Sequence, residues 1–490
     1  MRRNFLFYVA LLAVFGAGIY LILNFGARLR PGGAVPESRV ESARVSTHVQ
    51  EPPEPEASSR GLARPLYENL QHPLSMLLLQ AIVILIAARV FGTLFQKLGQ
   101  PAVIGEMLAG IILGPSLLGM LSPGAQSFLF PASSMEFLKL LSQIGVILFM
   151  FVVGLDLNVQ HLRRKADAAV LVSHASIIIP FFLGTASALL IYPSMAPPHI
   201  SFNAFALFIG VAMSITAFPV LARIVEERGL YKTHLGSTVI ACAAVDDVTA
   251  WCILAVVVAI VKADALSSSL LTISSSLLFI GVMLFMLKPW AARVVGERLR
   301  GGVEGKAPVA WALAFMFTSA LFTEVIGIHA LFGAFLAGVV MPPRAELRQV
   351  LRERLGNFTS VFLMPLFFAF TGLRTQIGLL DDWQGWLMCI GVIAVAIVGK
   401  LGGSMLAARW TGMGWQESFS IGALMNTRGL IELIVLNLGY DLGILSPRVF
   451  TMMVIMALTT TFMTGPLLSL VEFRNRRGSV VTADEARAAA

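Results

Sequence analysis

Long apolar runs separated by short polar loops dominate the chain. An apolar run from about Phe5 to Phe25 is followed by a hydrophilic, proline-rich stretch over residues 30–72. From Pro73 onward thirteen apolar segments follow, with cores at 74–97, 102–120, 136–157, 168–192, 202–222, 236–261, 267–288, 308–325, 328–341, 357–376, 384–408, 416–438 and 449–471. Most reach the roughly 20 residues that a helix needs to cross a hydrocarbon core of about 30 Å. The segment 328–341 is shorter, and its boundary with the one before it is indistinct. The pattern predicts an all-α polytopic membrane protein with thirteen core transmembrane helices and one N-terminal helix.

Composition supports lipid as the solvent. The chain of 490 residues is 57% hydrophobic and 13% charged, against about 45–50% and about 25% in ordinary soluble domains. Its net charge of +8 does not point to nucleic acid, because the basic residues sit in short loops. Those carrying Arg163, Arg164 and Lys165, then Arg223, Arg228 and Lys232, then Lys288, Arg293, Arg298 and Arg300, then Arg344, Arg348, Arg352 and Arg354, and the tail with Arg474, Arg476 and Arg477, fall on one side under the thirteen-segment count. The positive-inside rule makes that side cytoplasmic, with both termini inside. Residues 1–29 read as a transmembrane anchor or signal-like helix. The run is long for a signal-peptide core and no clear small-x-small cleavage site follows it, which favours a retained helix. Residues 30–72 read as an extracytoplasmic linker, 73–471 as the membrane domain and 472–490 as a short cytoplasmic tail. Cys242, Cys252 and Cys389 lie in apolar runs and read as small core residues.

The chain also repeats itself. IGEMLAGIILGP (104–115) resembles FGAFLAGVVMPP (332–343), and FMFVVGLDL (149–157) resembles FFAFTGLRT (367–375). The two pairs share one order and an odd offset of segments, so the copies run oppositely through the membrane. Inverted-topology repeats of this kind build many secondary transporters.

Ionisable groups inside apolar spans cost about 2.5–3.5 kcal/mol or more, so they need partners or a purpose. Asp246 and Asp247 lie near the middle of the sixth segment. Neighbours on a helix point about 100° apart, so one carboxylate can meet a protein cation while the other faces a water-filled cavity. Two carboxylates this close resist joint ionisation, which suits a site that loads and releases protons. Their oxygens also suit a hard alkali cation, with Asp247 and Thr216 as candidate ligands. Lys400, inside the eleventh segment, is the candidate ion-pair partner; snorkelling to the interface is its alternative. Arg428, in the twelfth, keeps its proton and reads as a fixed counter-charge, to Glu432 four residues on or to helix ends. Asn426 and Thr427 beside it suggest local unwinding. In the fifth segment Pro219 frees the carbonyl of Ile215, with Ser214 and Thr216 nearby; a plain kink is the alternative. Interruptions at matching positions of two repeats point to a transporter site. Glu106, Asp156, Glu324 and His329 are weaker candidates near helix ends. The sequence predicts no cofactor, no resident metal, no nucleic-acid partner and no enzymatic activity.

The stretches 99–119, SITAFPVLARIVEERGL (214–230), AAVDDVTAW (243–251), GIHALFGAFLAGVVMP (327–342), VGKLGG (398–403) and GALMNTRGLIELIVLNLG (422–439) resemble the monovalent cation:proton antiporter-2 family. The resemblance spans about 73–471. It implies a secondary antiporter exchanging Na⁺ or K⁺ for protons, with two broken helices crossing in a mobile core domain, and usually a homodimer. It further implies that Asp247 binds cation and proton while Asp246 pairs with Lys400. The double aspartate with Lys400 is similar to electrogenic Na⁺/H⁺ antiporters, whereas AAVDDVTAW and MNTRGLIELIVLNLG also look like plant-type exchangers. A nucleotide-binding domain of the Kef type has no counterpart here. The absence of eukaryotic targeting suggests a bacterial inner membrane. The rival readings are a Na⁺-coupled organic-anion symporter and an ion-sensing membrane protein without turnover.

Overall fold

The computed structural model describes residues 2–31, 69–70, 72–156, 166–230, 233–261, 266–298, 306–327 and 329–488. Most of the 30–72 linker and the basic residues 163–165, Lys232 and Arg300 lie outside them. The helices are α1 (Arg2–Gly26), α2 (Pro73–Lys97), α3 (Ala102–Leu113), α4 (Ala132–Asp156), α5 (Ala166–Met195), α6 (Phe202–Ser214), α7 (Phe218–Glu227), α8 (His234–Val261), α9 (Leu266–Gly281), α10 (Lys288–Arg298), α11 (Ala307–Ile326), α12 (Ala330–Val340), α13 (Ala345–Leu351), α14 (Met364–Arg374), α15 (Trp383–Ile397), α16 (Gly403–Trp410), α17 (Trp415–Met425), α18 (Leu430–Asp441) and α19 (Pro447–Ala488). Among the described residues, 11 helices are long and apolar enough to cross a membrane. The ninth predicted segment is the short helix α12. The fifth and twelfth are not continuous spans: each is a pair of half-helices, α6–α7 and α17–α18. The tenth begins earlier than predicted, because α13 continues through π-helical turns into α14.

The helices sort into two packed groups. In one, α2, α3, α4, α11, α12 and α14 pack together; in the other, α5, α6, α7, α8, α16, α17 and α19. The N-terminal α1 lies on α5, where Phe15 and Phe182 meet edge to face at 5.1 Å and Tyr8 stands against His174 at 5.3 Å.

The first group carries the repeat in its backbone contacts. A Cβ on Gly110 would lie 2.1 Å from the carbonyl oxygen of Ala369, and one on Gly372 would lie 2.4 Å from that of Met107. The same contacts recur with the repeat-equivalent residues: Gly338 on Phe151 at 2.2 Å, and Gly154 on Phe335 at 2.2 Å. α3 is therefore locked to α14 as α12 is locked to α4. Small residues permit this approach, and packing is what holds helices together where lipid removes the hydrophobic drive. Because the two contacts are equivalent, Gly110→Val and Gly338→Val are each expected to destabilise the protein, by about 1–3 kcal/mol of overpacking. Thermal melting of the detergent-solubilised variants measures it, and an unchanged melt for either would remove the lock.

Candidate functional site

The site forms where the two broken helices cross. α6 ends at Ser214, Ile215 is extended (φ −70°, ψ 139°), and α7 starts at Phe218. Pro219 therefore opens a new helix, where a missing N–H costs nothing, and does not kink a continuous one. On the other element α17 ends at Met425 and α18 starts at Leu430. Gly429 between them has φ 149° and ψ −124°, a conformation that disfavours any residue with a Cβ. The two breaks are joined directly, because the backbone N–H of Ala217 donates to the carbonyl of Thr427 at 3.1 Å.

Two cations cap the buried carbonyls at the end of α6. Arg428, fully buried, donates to Ala212 O at 3.1 Å and Met213 O at 2.6 Å. Lys400 donates to the next carbonyl, Ser214 O. Positive charge at a helix C-terminus meets both the unpaired carbonyls and the negative end of the dipole. Arg428 also donates to Glu432 Oε1 at 3.1 Å, and its own carbonyl accepts from Thr461 Oγ1 at 2.7 Å.

Lys400 sits in a π-turn, Val398–Gly402, that joins α15 to α16. Such turns recur at functional sites in long helices. The lysine is fully buried, so it does not snorkel. Its ammonium has three protons to give. They go to Ser214 O, to Ser176 O at 2.9 Å and to Asp246 Oδ2 at 2.7 Å.

The adjacent aspartates on α8 have opposite surroundings. Asp246, fully buried, accepts from Ser173 Oγ at 3.0 Å, Ser176 Oγ at 2.7 Å, Thr216 Oγ1 and Lys400 Nζ. Asp247 is 2% exposed, and neither of its oxygens accepts a hydrogen bond among the described residues. The backbone N–H of Phe218, at the start of α7, lies near it but outside hydrogen-bond geometry. A buried carboxylate left without donors carries a full desolvation cost, which a proton or a dehydrated cation would relieve.

The other predicted residues divide. The Thr216 hydroxyl is engaged with Asp246, while that of Ser214 turns back to Val211 O at 2.8 Å, so Ser214 contributes its carbonyl. Asn426 donates to Thr460 O at 3.5 Å, and its buried Oδ1 has no partner among the described residues. The Thr427 hydroxyl meets Thr464 at 3.3 Å. Outside the crossing, Asp156 pairs with Arg352, and Glu324 accepts from the N–H of Ala330 at 2.7 Å, at the start of α12. His329, at φ 111°, caps that helix, and Glu106 lies on α3 against Gly92 of α2. Sequence reading missed Ser173, Ser176 and Thr461. The signal for the first two was present: hydroxyls three apart in an apolar helix share a face.

Known proteins resemble this chain in sequence and in fold. The profile of the transmembrane sodium/hydrogen exchanger family matches residues 82–473. The chain is 44% identical over 396 residues to the Na⁺/H⁺ antiporter NhaS4 of Synechocystis, covering 81% of this chain and 97% of that protein. Cation/H⁺ antiporter 17 of Arabidopsis thaliana is 38% identical and K⁺/H⁺ antiporter 1 of Saccharomyces cerevisiae 34%; the chain spans 49% and 47% of their lengths. In structure it resembles the sodium proton antiporter MjNhaP1 of Methanocaldococcus jannaschii with a TM-score of 0.57, at 15% identity, over 81% of this chain and 96% of that one. This last likeness speaks for the fold alone. The chain is a multi-pass membrane protein that belongs to the sodium/hydrogen exchanger family.

Proposed function

We infer that this protein exchanges a monovalent cation, Na⁺ or K⁺, for protons across a membrane by alternating access. The observation that carries this is the contrast within the aspartate pair. Asp246 is held by four donors, while Asp247 beside it is buried with none. Proton and cation then compete for Asp247, and the crossing half-helices move with the core domain to open the site to either side in turn. In the electrogenic form of the cycle, Lys400 releases Asp246 when the cation enters and more than one proton returns per cation. Family membership supports transport rather than catalysis, and the cyanobacterial relative supports a bacterial inner membrane. A homodimer is the expected assembly.

Acid-loaded proteoliposomes containing a pH-sensitive dye test the reading. Dequenching on addition of Na⁺, K⁺ or Li⁺ is expected, and the responding ion names the substrate. Rising pH is expected to lower the cation concentration for half-maximal response, because protons leave the shared site. Silence toward every cation from inserted protein would return the symporter and the sensor to consideration; an organic anion that drives Na⁺ uptake identifies the former.

A further inference from the structure

Among the described residues, five charged side chains are buried below a tenth exposure: Asp246, Asp247, Lys400, Arg428 and Glu432. Four have roles in the crossing already described. The fifth does not. Glu432 lies in the first turn of α18, fully buried, with Oε1 on Arg428 at 3.1 Å and Oε2 without a hydrogen-bond partner among the described residues. A neutral glutamine would keep a hydrogen bond from Arg428, weaker for lack of the opposite charge, and would avoid burying a second ion, which costs several kcal/mol before pairing. Hydrogen bonding therefore does not account for the charge.

Its surroundings do. Arg428 and Lys400 both act on one end of α6, and Lys400 lies within electrostatic reach of both Arg428 and Glu432. Counted as ionised, these three carboxylates and two cations sum to one net negative charge, which favours an incoming cation. Without Glu432 that balance is zero. Among the described residues, the elements packed against α18 bring no unpaired titratable side chain to Glu432. α6 contains none, α19 contains none between Thr451 and Leu470, and Arg374, on α14, is paired with Asp441 at 3.0 Å.

We propose that Glu432 is a positioning residue for charge: its carboxylate offsets the fixed positive charge of Arg428, so that the crossing attracts a monovalent cation to Asp247. This rests on the reading of Asp247 as the shared cation and proton site. Glu432→Gln keeps the shape and a hydrogen bond but leaves Arg428 uncompensated, so the variant is expected to melt below wild type. The extra positive charge weakens cation binding and makes Asp247 shed its proton more readily.

The test is proteoliposome exchange with Na⁺ and K⁺ over a pH series, for wild type, Glu432→Gln and Glu432→Asp. For Glu432→Gln the cation KM is expected to rise about tenfold, and the pH of half-maximal activity to move about one unit toward acid, the size of one unit charge acting across a protein interior. The rate at saturating cation is retained, and Glu432→Asp keeps most of the wild-type KM. Cation-induced stabilisation against melting in detergent reports the same loss of affinity without requiring transport. Unchanged KM and pH profile in Glu432→Gln, or equal shifts in the Gln and Asp variants, would overturn the proposal. A changed proton-to-cation ratio at unchanged KM would overturn it too, by making Glu432 a proton carrier. Exchange retained in Asp247→Asn is a separate failure, of the site reading itself.

Discussion

Asp247→Asn is expected to reduce cation-driven proton release to the level of protein-free liposomes while making the protein more stable. The two halves of this prediction have one cause. The wild-type carboxylate is 2% exposed and has no hydrogen-bond partner among the described residues, so the fold gains nothing from its charge. Removing that charge eliminates a desolvation cost wherever the wild-type carboxylate is ionised, so the gain is expected at alkaline pH and fades as the wild type takes up its proton. The amide keeps one oxygen but neither titrates nor neutralises a cation, so both substrates of the exchange lose their site. Dye dequenching in proteoliposomes and melting in detergent measure the two effects independently. A variant that still exchanges would remove Asp247 from the mechanism, and one that melts well below wild type would show that the carboxylate has a structural partner.

Lys400→Met is the opposite case, with a large expected loss of stability. The lysine gives its three protons to Asp246, Ser176 O and Ser214 O inside a fully buried site. Methionine preserves the volume and leaves those acceptors facing nothing. Removing one member of a buried pair costs about 3–5 kcal/mol, chiefly through the charge left behind. The melting temperature is therefore expected to fall substantially. Adding Asp246→Asn to Lys400→Met should recover part of it, because the orphaned charge is then gone. Melts of the wild type, the two single variants and the double variant form a closed cycle. If Lys400→Met melts as the wild type does, the ion pair does not hold the crossing together.

Much of the architecture was legible because lipid imposes strict local rules. A backbone in hydrocarbon must satisfy its own hydrogen bonds, so apolar runs of sufficient length read directly as helices. The repeat was visible for a related reason: close backbone contact demands glycine at Gly110, Gly154, Gly338 and Gly372, and a residue type demanded by contact persists at its position in both copies. The site was legible in part through cost, since Asp246, Asp247, Lys400 and Arg428 stand out against an apolar background.

What the sequence by itself determined is a membrane protein of inverted repeats, with charges buried near the middle of its spans. Which aspartate is satisfied and which is left open was decided only by tertiary structure. Asp246 and Asp247 are chemically identical neighbours, and they differ because α8 turns one toward Ser173, Ser176, Thr216 and Lys400, which come from three separate elements. The depth of the two breaks was also hidden: Pro219 is compatible with a kink or with a new helix, and the bond from Ala217 to Thr427 spans segments far apart in the chain. Local propensity is encoded residue by residue, whereas the partners of a buried charge depend on how distant helices pack.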